Sequence, residues 1–158
     1  MVLTFIIFMS AGLLVANFYP EIEKIFKAPP AYKWRGGINV QDSFGWMDMV
    51  NGEIGKVSEY PVFVGNNTKY LHVYIEVVFS NPINPDIEIL NQGNLNFTIL
   101  SPSGENITKS YCTTFKDHRY EEYFYFENPE EGQWKIKLKV VGYGTYKIST
   151  QMYEPVEQ

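Results

Sequence analysis

From about Ile38 onward, apolar side chains recur at every second position. Between Tyr70 and Ser80, Leu71, Val73, Ile75, Val77 and Phe79 share one face. His72, Tyr74, Glu76 and Ser80 take the other, with Val78 as the exception. A period of two predicts a strand with one buried face. Leu95, Phe97 and Ile99 alternate with Asn94, Asn96 and Thr98, and Ser101-Pro102-Ser103-Gly104 then supplies turn chemistry. Glu122 to Glu127 reads as a further strand, followed by the loop Asn128-Pro129-Glu130-Glu131-Gly132. Trp134, Ile136, Leu138 and Val140 alternate with Lys135, Lys137 and Lys139. Gly142-Tyr143-Gly144 predicts a hairpin into Thr145–Met152, with Tyr146 and Ile148 inward. Short strands with Gly/Pro punctuation and no intervening helix predict an all-β fold. The expected architecture is an antiparallel two-sheet β-sandwich, Ig-like or jelly-roll-like.

The N-terminal pattern is different. Residues 1–20 carry no charged side chain, and Val2 to Tyr19 is interrupted only by Thr4, Ser10, Gly12 and Asn17. As a helix this stretch would reach roughly 27 Å, close to the thickness of a thin hydrocarbon core. Phe18 and Tyr19 end it with rings suited to a membrane interface. A cleaved signal would want a basic start and a small-x-small site, whereas a cut after Ala16 places Leu14 three residues back. The retained anchor is the better fit. It makes membrane lipid a partner through residues 2–19.

The expected organisation is an anchor helix over 1–27, a Pro-rich linker over 28–37, a sandwich over 38–153 and a tail over 154–158. Lys24, Lys27, Lys33 and Arg35 follow the apolar segment and would favour the cytoplasm. Against them stand three N-glycosylation sequons, beginning at Asn66, Asn96 and Asn106, each in a loop or on the polar side of a strand. The sequons decide for a single-pass membrane protein with its C-terminal domain extracytoplasmic.

Composition narrows the chemistry. The 158 residues hold 13 Lys+Arg against 18 Asp+Glu, a net charge of −5, which excludes a nucleic-acid partner that needs a concentrated positive footprint. Aromatic residues reach 16%, more than a disordered chain carries. The single cysteine, Cys112, excludes an internal disulfide framework.

No catalytic, cofactor or metal site is expected. His72 lies on the polar side of a strong strand and reads as a solvated or hydrogen-bonded ring. His118 sits in Lys116-Asp117-His118-Arg119, an ordinary charged loop whose spacing fits no ligand pattern. Cys112 reads as inert packing at a strand end. The Lys135/Lys137/Lys139 stripe reads as a solvated face that discourages edge pairing. One segment looks like a protein-docking surface. Ser43 to Met49 places Phe44 and Trp46 on one strand face and Met47 and Met49 on the other. A sandwich strand needs only one apolar face, and these side chains are common at interface centres.

The stretches Leu95–Gly104, Asn128–Ile136 and Tyr143–Ile148 resemble extracellular sandwich modules. The nearest are the pre-peptidase C-terminal domains and the P-domains of subtilisin-like convertases. Both carry a strand, Ser-Pro-x-Gly, strand element and a later Pro-x-x-Gly-x-Trp/Tyr turn. The resemblance covers roughly residues 94–150 and implies a module that accompanies a protease. The overall arrangement also resembles archaeal surface-appendage proteins, both accessory subunits of the archaellum and pilin-like subunits. Charges begin at Glu21, which favours the accessory role over a filament subunit.

The leading expectation is therefore a non-catalytic interaction or accessory subunit of a cell-surface or membrane assembly, with a protein partner. A carbohydrate-binding module, with a glycan as partner, is the alternative. The two part on where the surplus rings point. An exposed row of Tyr111, Tyr120, Tyr123 and Tyr125 would favour sugar.

Overall fold

The inward rows read from the sequence do form the interior of a two-layer sandwich. The structure is a computed structural model that describes residues 30–45, 49–50, 53–80, 92–113 and 118–156, with the backbone alone at 49–50 and 53–54. The chain divides into units 1–31 and 32–158, and the sandwich belongs to the second. Among the described residues no helix is long and apolar enough to cross a membrane, and the expected anchor at residues 2–19 lies outside them.

Ten strands are described. They are β1 (Tyr32–Phe44), β2 (Met49–Val50), β3 (Glu53–Ile54), β4 (Lys56–Val64), β5 (Tyr70–Phe79), β6 (Gly93–Leu100), β7 (Asn106–Cys112), β8 (Arg119–Glu127), β9 (Gly132–Gly142) and β10 (Gly144–Pro155). Two four-stranded antiparallel sheets run in the orders β1-β10-β5-β8 and β4-β9-β6-β7, and β2 and β3 pair by themselves. Of the links between consecutive large strands, only β6–β7 is a hairpin within one sheet. Every other link crosses between the sheets, which is the winding of a jelly roll.

That winding corrects the expected last hairpin. β9 lies between β4 and β6, whereas β10 lies between β1 and β5 in the other sheet. Gly142-Tyr143-Gly144 is thus a corner between layers. A side chain at Gly144 would put its Cβ 2.0 Å from the Val78 carbonyl oxygen, so the crossing depends on glycine there. Both strands keep one apolar row, and alternation alone cannot say whether two such rows share a sheet or face each other.

The core is built from those rows. Leu71, Val73, Ile75, Val77 and Phe79 of β5 and Tyr146, Ile148 and Met152 of β10 meet Leu95, Phe97 and Ile99 of β6 and Trp134, Ile136, Leu138 and Val140 of β9. Phe97 and Phe124 stack across the layers with centroids 5.5 Å apart. Trp134 packs edge-on against Phe126 at 4.9 Å and donates its Nε1–H to the Glu130 carbonyl at 2.8 Å.

The two open sides are closed by polar groups. At the β7/β8 side, Lys109 and Glu122 occupy inward register positions beside Phe97 and Ile75, and they pair at 3.2 Å. Tyr120 donates to the same Glu122 carboxylate, and its ring meets Tyr111 at a tilt, with centroids 5.2 Å apart. At the β1/β4 side, Lys56 pairs with Asp42 at 2.5 Å, and the Tyr146 hydroxyl joins Tyr60 at 2.6 Å and Ser58 at 3.0 Å. Inward-pointing charge at such edges also discourages a foreign strand from adding on.

The strand boundaries move the expected linker. β1 starts at Tyr32, so residues 32–37 are sheet, and β10 carries the sheet through Pro155 into the expected tail. Prolines at 29 and 30 suggested a longer linker, and Gly36-Gly37 read as a continuation of it. The glycines are instead a bulge in β1, where the register with β10 breaks between Gly36 and Asn39. Thr150 fills the gap: its Oγ1 accepts from Ile38 N at 3.0 Å and lies where a Gly37 side chain would stand.

Candidate functional site: an aromatic face on one sheet

The outer face of the β1-β10-β5-β8 sheet carries rings where a solvated strand face normally carries short polar residues. In β5, the alternation that buries Leu71 and Val73 turns Tyr70, His72 and Tyr74 outward. In β8, Phe124 goes inward while Tyr123 and Tyr125 go outward, exposed by 55% and 65%. β1 adds Trp34, 49% exposed, and β10 adds Tyr153.

Antiparallel register brings these rings side by side. Trp34 stands opposite Tyr153, Tyr153 opposite Tyr70, His72 opposite Tyr125, and Tyr74 opposite Tyr123. Across the sheet, Trp34 lies 4.6 Å from His72, and His72 lies 4.6 Å from Tyr125. Tyr125 and Tyr123 stack at 6.4 Å with planes only 10° apart, and Tyr123 meets Tyr74 at 4.6 Å. Trp34 also touches Tyr153 at 5.1 Å, which in turn stacks on Tyr32 at 5.4 Å. The result is a continuous ring surface that spans all four strands.

Hydrogen-bonding groups sit at one end of this surface. The Tyr74 hydroxyl lies 3.1 Å from a Glu76 carboxylate oxygen and 3.2 Å from one of Glu121. Arg119 pairs with both carboxylates, at 2.7 and 3.3 Å. Burial, with help from the two carboxylates, pushes the Tyr74 phenol up to about 12, so it stays a proton donor at any physiological pH. Burial also lowers the His72 pKa below its usual range, which favours the neutral imidazole.

The four tyrosines singled out from the sequence therefore divide. Tyr123 and Tyr125 belong to the exposed row, whereas Tyr111 and Tyr120 are partly buried against the core. Trp34, Tyr70, Tyr74 and Tyr153 were not singled out. For Tyr70 and Tyr74 the signal was present in the polar half of the β5 alternation, whereas Trp34 and Tyr153 lie beyond the strand ends expected from the sequence. His72 is outward as the alternation places it, yet its ring lies against Trp34 and Tyr125.

Of the expected docking residues Phe44, Trp46, Met47 and Met49, only the Phe44 side chain is described, and it faces the core rather than a partner. Phe44 is buried at the end of β1, where it meets Phe79 edge-on at 5.5 Å and stacks over Tyr146 at 6.5 Å. It stands opposite Gly144, whose missing side chain leaves room for its ring. Trp46 and Met47 lie outside the described residues, and Met49 is seen as backbone paired with Ile54. Asn66, Asn96 and Asn106 are all exposed. Asn96 and Asn106 share the outer face of the second sheet, and their sequon threonines, Thr98 and Thr108, meet at 3.1 Å.

Other candidate groups stay dispersed. Cys112 is exposed and reduced. Among the described residues, no three His, Cys, Asp or Glu side chains gather closely enough to hold a metal ion. Lys135 and Lys137 both reach Glu59, at 3.4 and 3.3 Å, so part of the lysine stripe is neutralised. A cleft of about 820 Å³ opens beside the β1 bulge between Arg35, Phe63 and Met152.

No family model matches the sequence, and no curated protein matches it. Among solved structures, a Bacillus licheniformis lipase in propeptide form is 14% identical, with a TM-score of 0.43; the match covers 82% of this chain and 23% of the lipase. A carbohydrate-binding module, TmCBM61 in complex with beta-1,4-galactotriose, is 10% identical, with a TM-score of 0.37 and coverage of 77% and 86%. The empty top component of cowpea mosaic virus is 7% identical, with a TM-score of 0.41 and coverage of 84% and 91%. Likeness at this level carries no functional argument.

Proposed function

We propose that this protein is a non-catalytic glycan-binding module that takes a carbohydrate chain on the outer face of its β1-β10-β5-β8 sheet. The observation that carries the reading is the unbroken path Trp34–His72–Tyr125–Tyr123, with ring-to-ring steps of 4.6, 4.6 and 6.4 Å. Sugar rings present apolar C–H faces and polar rims. Their natural counterpart is an aromatic surface with hydroxyls and carboxylates at its margin, because each ring has an apolar body and a polar tip. Glu76, Glu121 and the Tyr74 hydroxyl supply that margin. Contiguous exposed apolar surface rimmed by polar groups is the kind that marks binding sites, and Trp34, Tyr123 and Tyr125 are each about half exposed or more.

The reading keeps the domain outside a membrane, held by residues 2–19. The exposure of all three sequon asparagines supports that placement. It replaces the protein-docking role of the Phe44–Met49 segment, whose first ring is in the core.

The test is a glycan array probed with the full chain, followed by affinity electrophoresis in the polysaccharides that respond. Trp34→Ala and Tyr125→Ala should each weaken retardation by about tenfold, equivalent to about 1.4 kcal/mol. Melting temperatures should change little, since both rings are exposed. Unaltered retardation in both variants, or an array without a single hit, would overturn the assignment.

A further inference from the structure

Next to the ring surface, at the end where Tyr32 stands, a pocket of about 340 Å³ lies between the β4–β5 turn and the β8–β9 turn. Tyr32, Asn67, Lys69, Asn128 and Glu131 line it. Two observations separate it from an ordinary gap between turns.

The first is conformational. Among the described non-glycine residues only Asn67 (φ 61°) and Asn128 (φ 46°) have positive φ, and both belong to this pocket. That region disfavours residues with a Cβ; asparagine enters it more readily than most, and glycine more readily still. Backbone held in this way gathers at ligand-binding sites. An amide thus stands at two positions where glycine would satisfy the turn more easily.

The second is rigidity. Lys69 N donates to the Tyr153 carbonyl at 2.8 Å, and Asn128 N donates to the Lys69 carbonyl at 2.8 Å. Thr68 closes its own turn by donating to the Gly65 carbonyl at 2.7 Å. The β4–β5 turn is therefore tied to β10, the strand that carries Tyr153 on the ring surface, and the β8–β9 turn is tied in turn to Lys69. Tyr32 forms the step between the two regions: its ring stacks on Tyr153 and lies under the Lys69 ammonium at 5.4 Å.

The pocket lining offers three amides, of Asn66, Asn67 and Asn128, with one ammonium and one carboxylate beside an aromatic ring. Lys69 and Glu131 cancel in charge, so the donors and acceptors suit a neutral polyhydroxyl group. Its volume is near the lower end of the roughly 300–1,000 Å³ typical of ligand pockets, which fits a single ring better than a chain. The geometry points to a terminal subsite, in which this pocket takes the neutral sugar residue at the end of a glycan whose following residues cross Tyr153, Trp34 and His72. The assignment rests on the ring surface being a glycan site. It adds the requirement that one chain end be read.

The experiment uses the full chain made in a bacterial host, so that Asn66 at the pocket rim carries no glycan. Probes are gluco-, galacto-, manno- and xylo-oligosaccharides of two to six residues, their parent polysaccharides and oligogalacturonides, measured by calorimetry. The double variant Asn67→Gly/Asn128→Gly removes the two amides held at positive φ, leaves Asn66 at the rim and suits the backbone, so the turns persist. It should lose tenfold or more in affinity for neutral oligosaccharides and keep its affinity for the polysaccharides. Trp34→Ala/Tyr125→Ala should lose both. If the glycine variant matches the parent on every oligosaccharide, or if only oligogalacturonides bind, the terminal subsite is wrong while the ring surface stands. If the parent binds no probe at all, both fall together.

Discussion

The rings of His72 and Tyr125 meet edge-on, their centroids 4.6 Å apart and their planes at 83°. This contact puts a titratable imidazole at the middle of the ring surface, with Trp34 on the other side at 4.6 Å and Tyr70 at 6.4 Å. Burial favours the neutral imidazole and lowers its pKa in the folded state below 6.5. The unfolded chain then takes up the proton first as pH falls. His72 therefore contributes its full stability above pH 6.5 and loses it as pH drops toward the depressed folded value. The melting temperature should fall more between pH 7.5 and 5 in the parent than in His72→Gln. Parallel pH curves for the two proteins would contradict this.

Trp134 should be among the costliest single truncations. It is 6% exposed, packs on Phe126 and uses its indole N–H on the Glu130 carbonyl. Trp134→Ala should destabilise by about 3–5 kcal/mol, and Trp134→Phe by appreciably less, since it keeps the packing but leaves that carbonyl without its donor. Chemical denaturation of both variants checks the order. An unchanged midpoint for the alanine variant would show that the β9 register is wrong.

Much of the interior was legible because it depends on one periodicity. The rows through Leu71, Leu95 and Trp134 were read directly, and all three are buried. What the sequence could not carry was which rows face each other. Trp134–Val140 and Tyr146–Met152 look like two arms of a hairpin, but the Gly142–Gly144 corner sends them to opposite layers. Phe44 was misplaced for a related reason. Its segment looked apolar on both faces, and only the pairing with Gly144 shows where its ring goes. The candidate site was missed because it is assembled by register. Trp34 and Tyr125 are far apart in sequence and come near only through β10 and β5.

The hydroxyl cluster at the β1/β4 side should matter more than the ion pair beside it. Tyr146 is 1% exposed, and its hydroxyl is shared by Tyr60, Ser58 and Asp42, the last at 3.3 Å. Burial raises its pKa, so the group remains a phenol that can bridge the two sheets. Tyr146→Phe should cost about 1–3 kcal/mol, because it strands partly buried partners. Lys56→Met breaks a pair that is open to water and should cost no more than about 1 kcal/mol. Urea titrations that reversed this ranking would mean that the ion pair, rather than the hydroxyls, closes this side.

The layer crossing at Gly144 gives the sharpest contrast between two substitutions of one kind. A Cβ on Gly144 would lie 2.0 Å from the Val78 carbonyl oxygen and 2.9 Å from the tip of Phe44. The carbonyl is main chain of the neighbouring strand β5 and cannot turn aside. Relief requires β10 to move off β5 at that end, which also pushes Phe44 out of its place against Phe79. Gly144→Ala should therefore destabilise by about 1–3 kcal/mol or more, the range for overfilling a packed site. Gly36 is the control. A Cβ there meets nothing within 4 Å, so Gly36→Ala should stay within about 0.5 kcal/mol of the parent. Equal denaturation midpoints for the two alanine variants would show that β9 and β10 are joined by a looser connection than this corner.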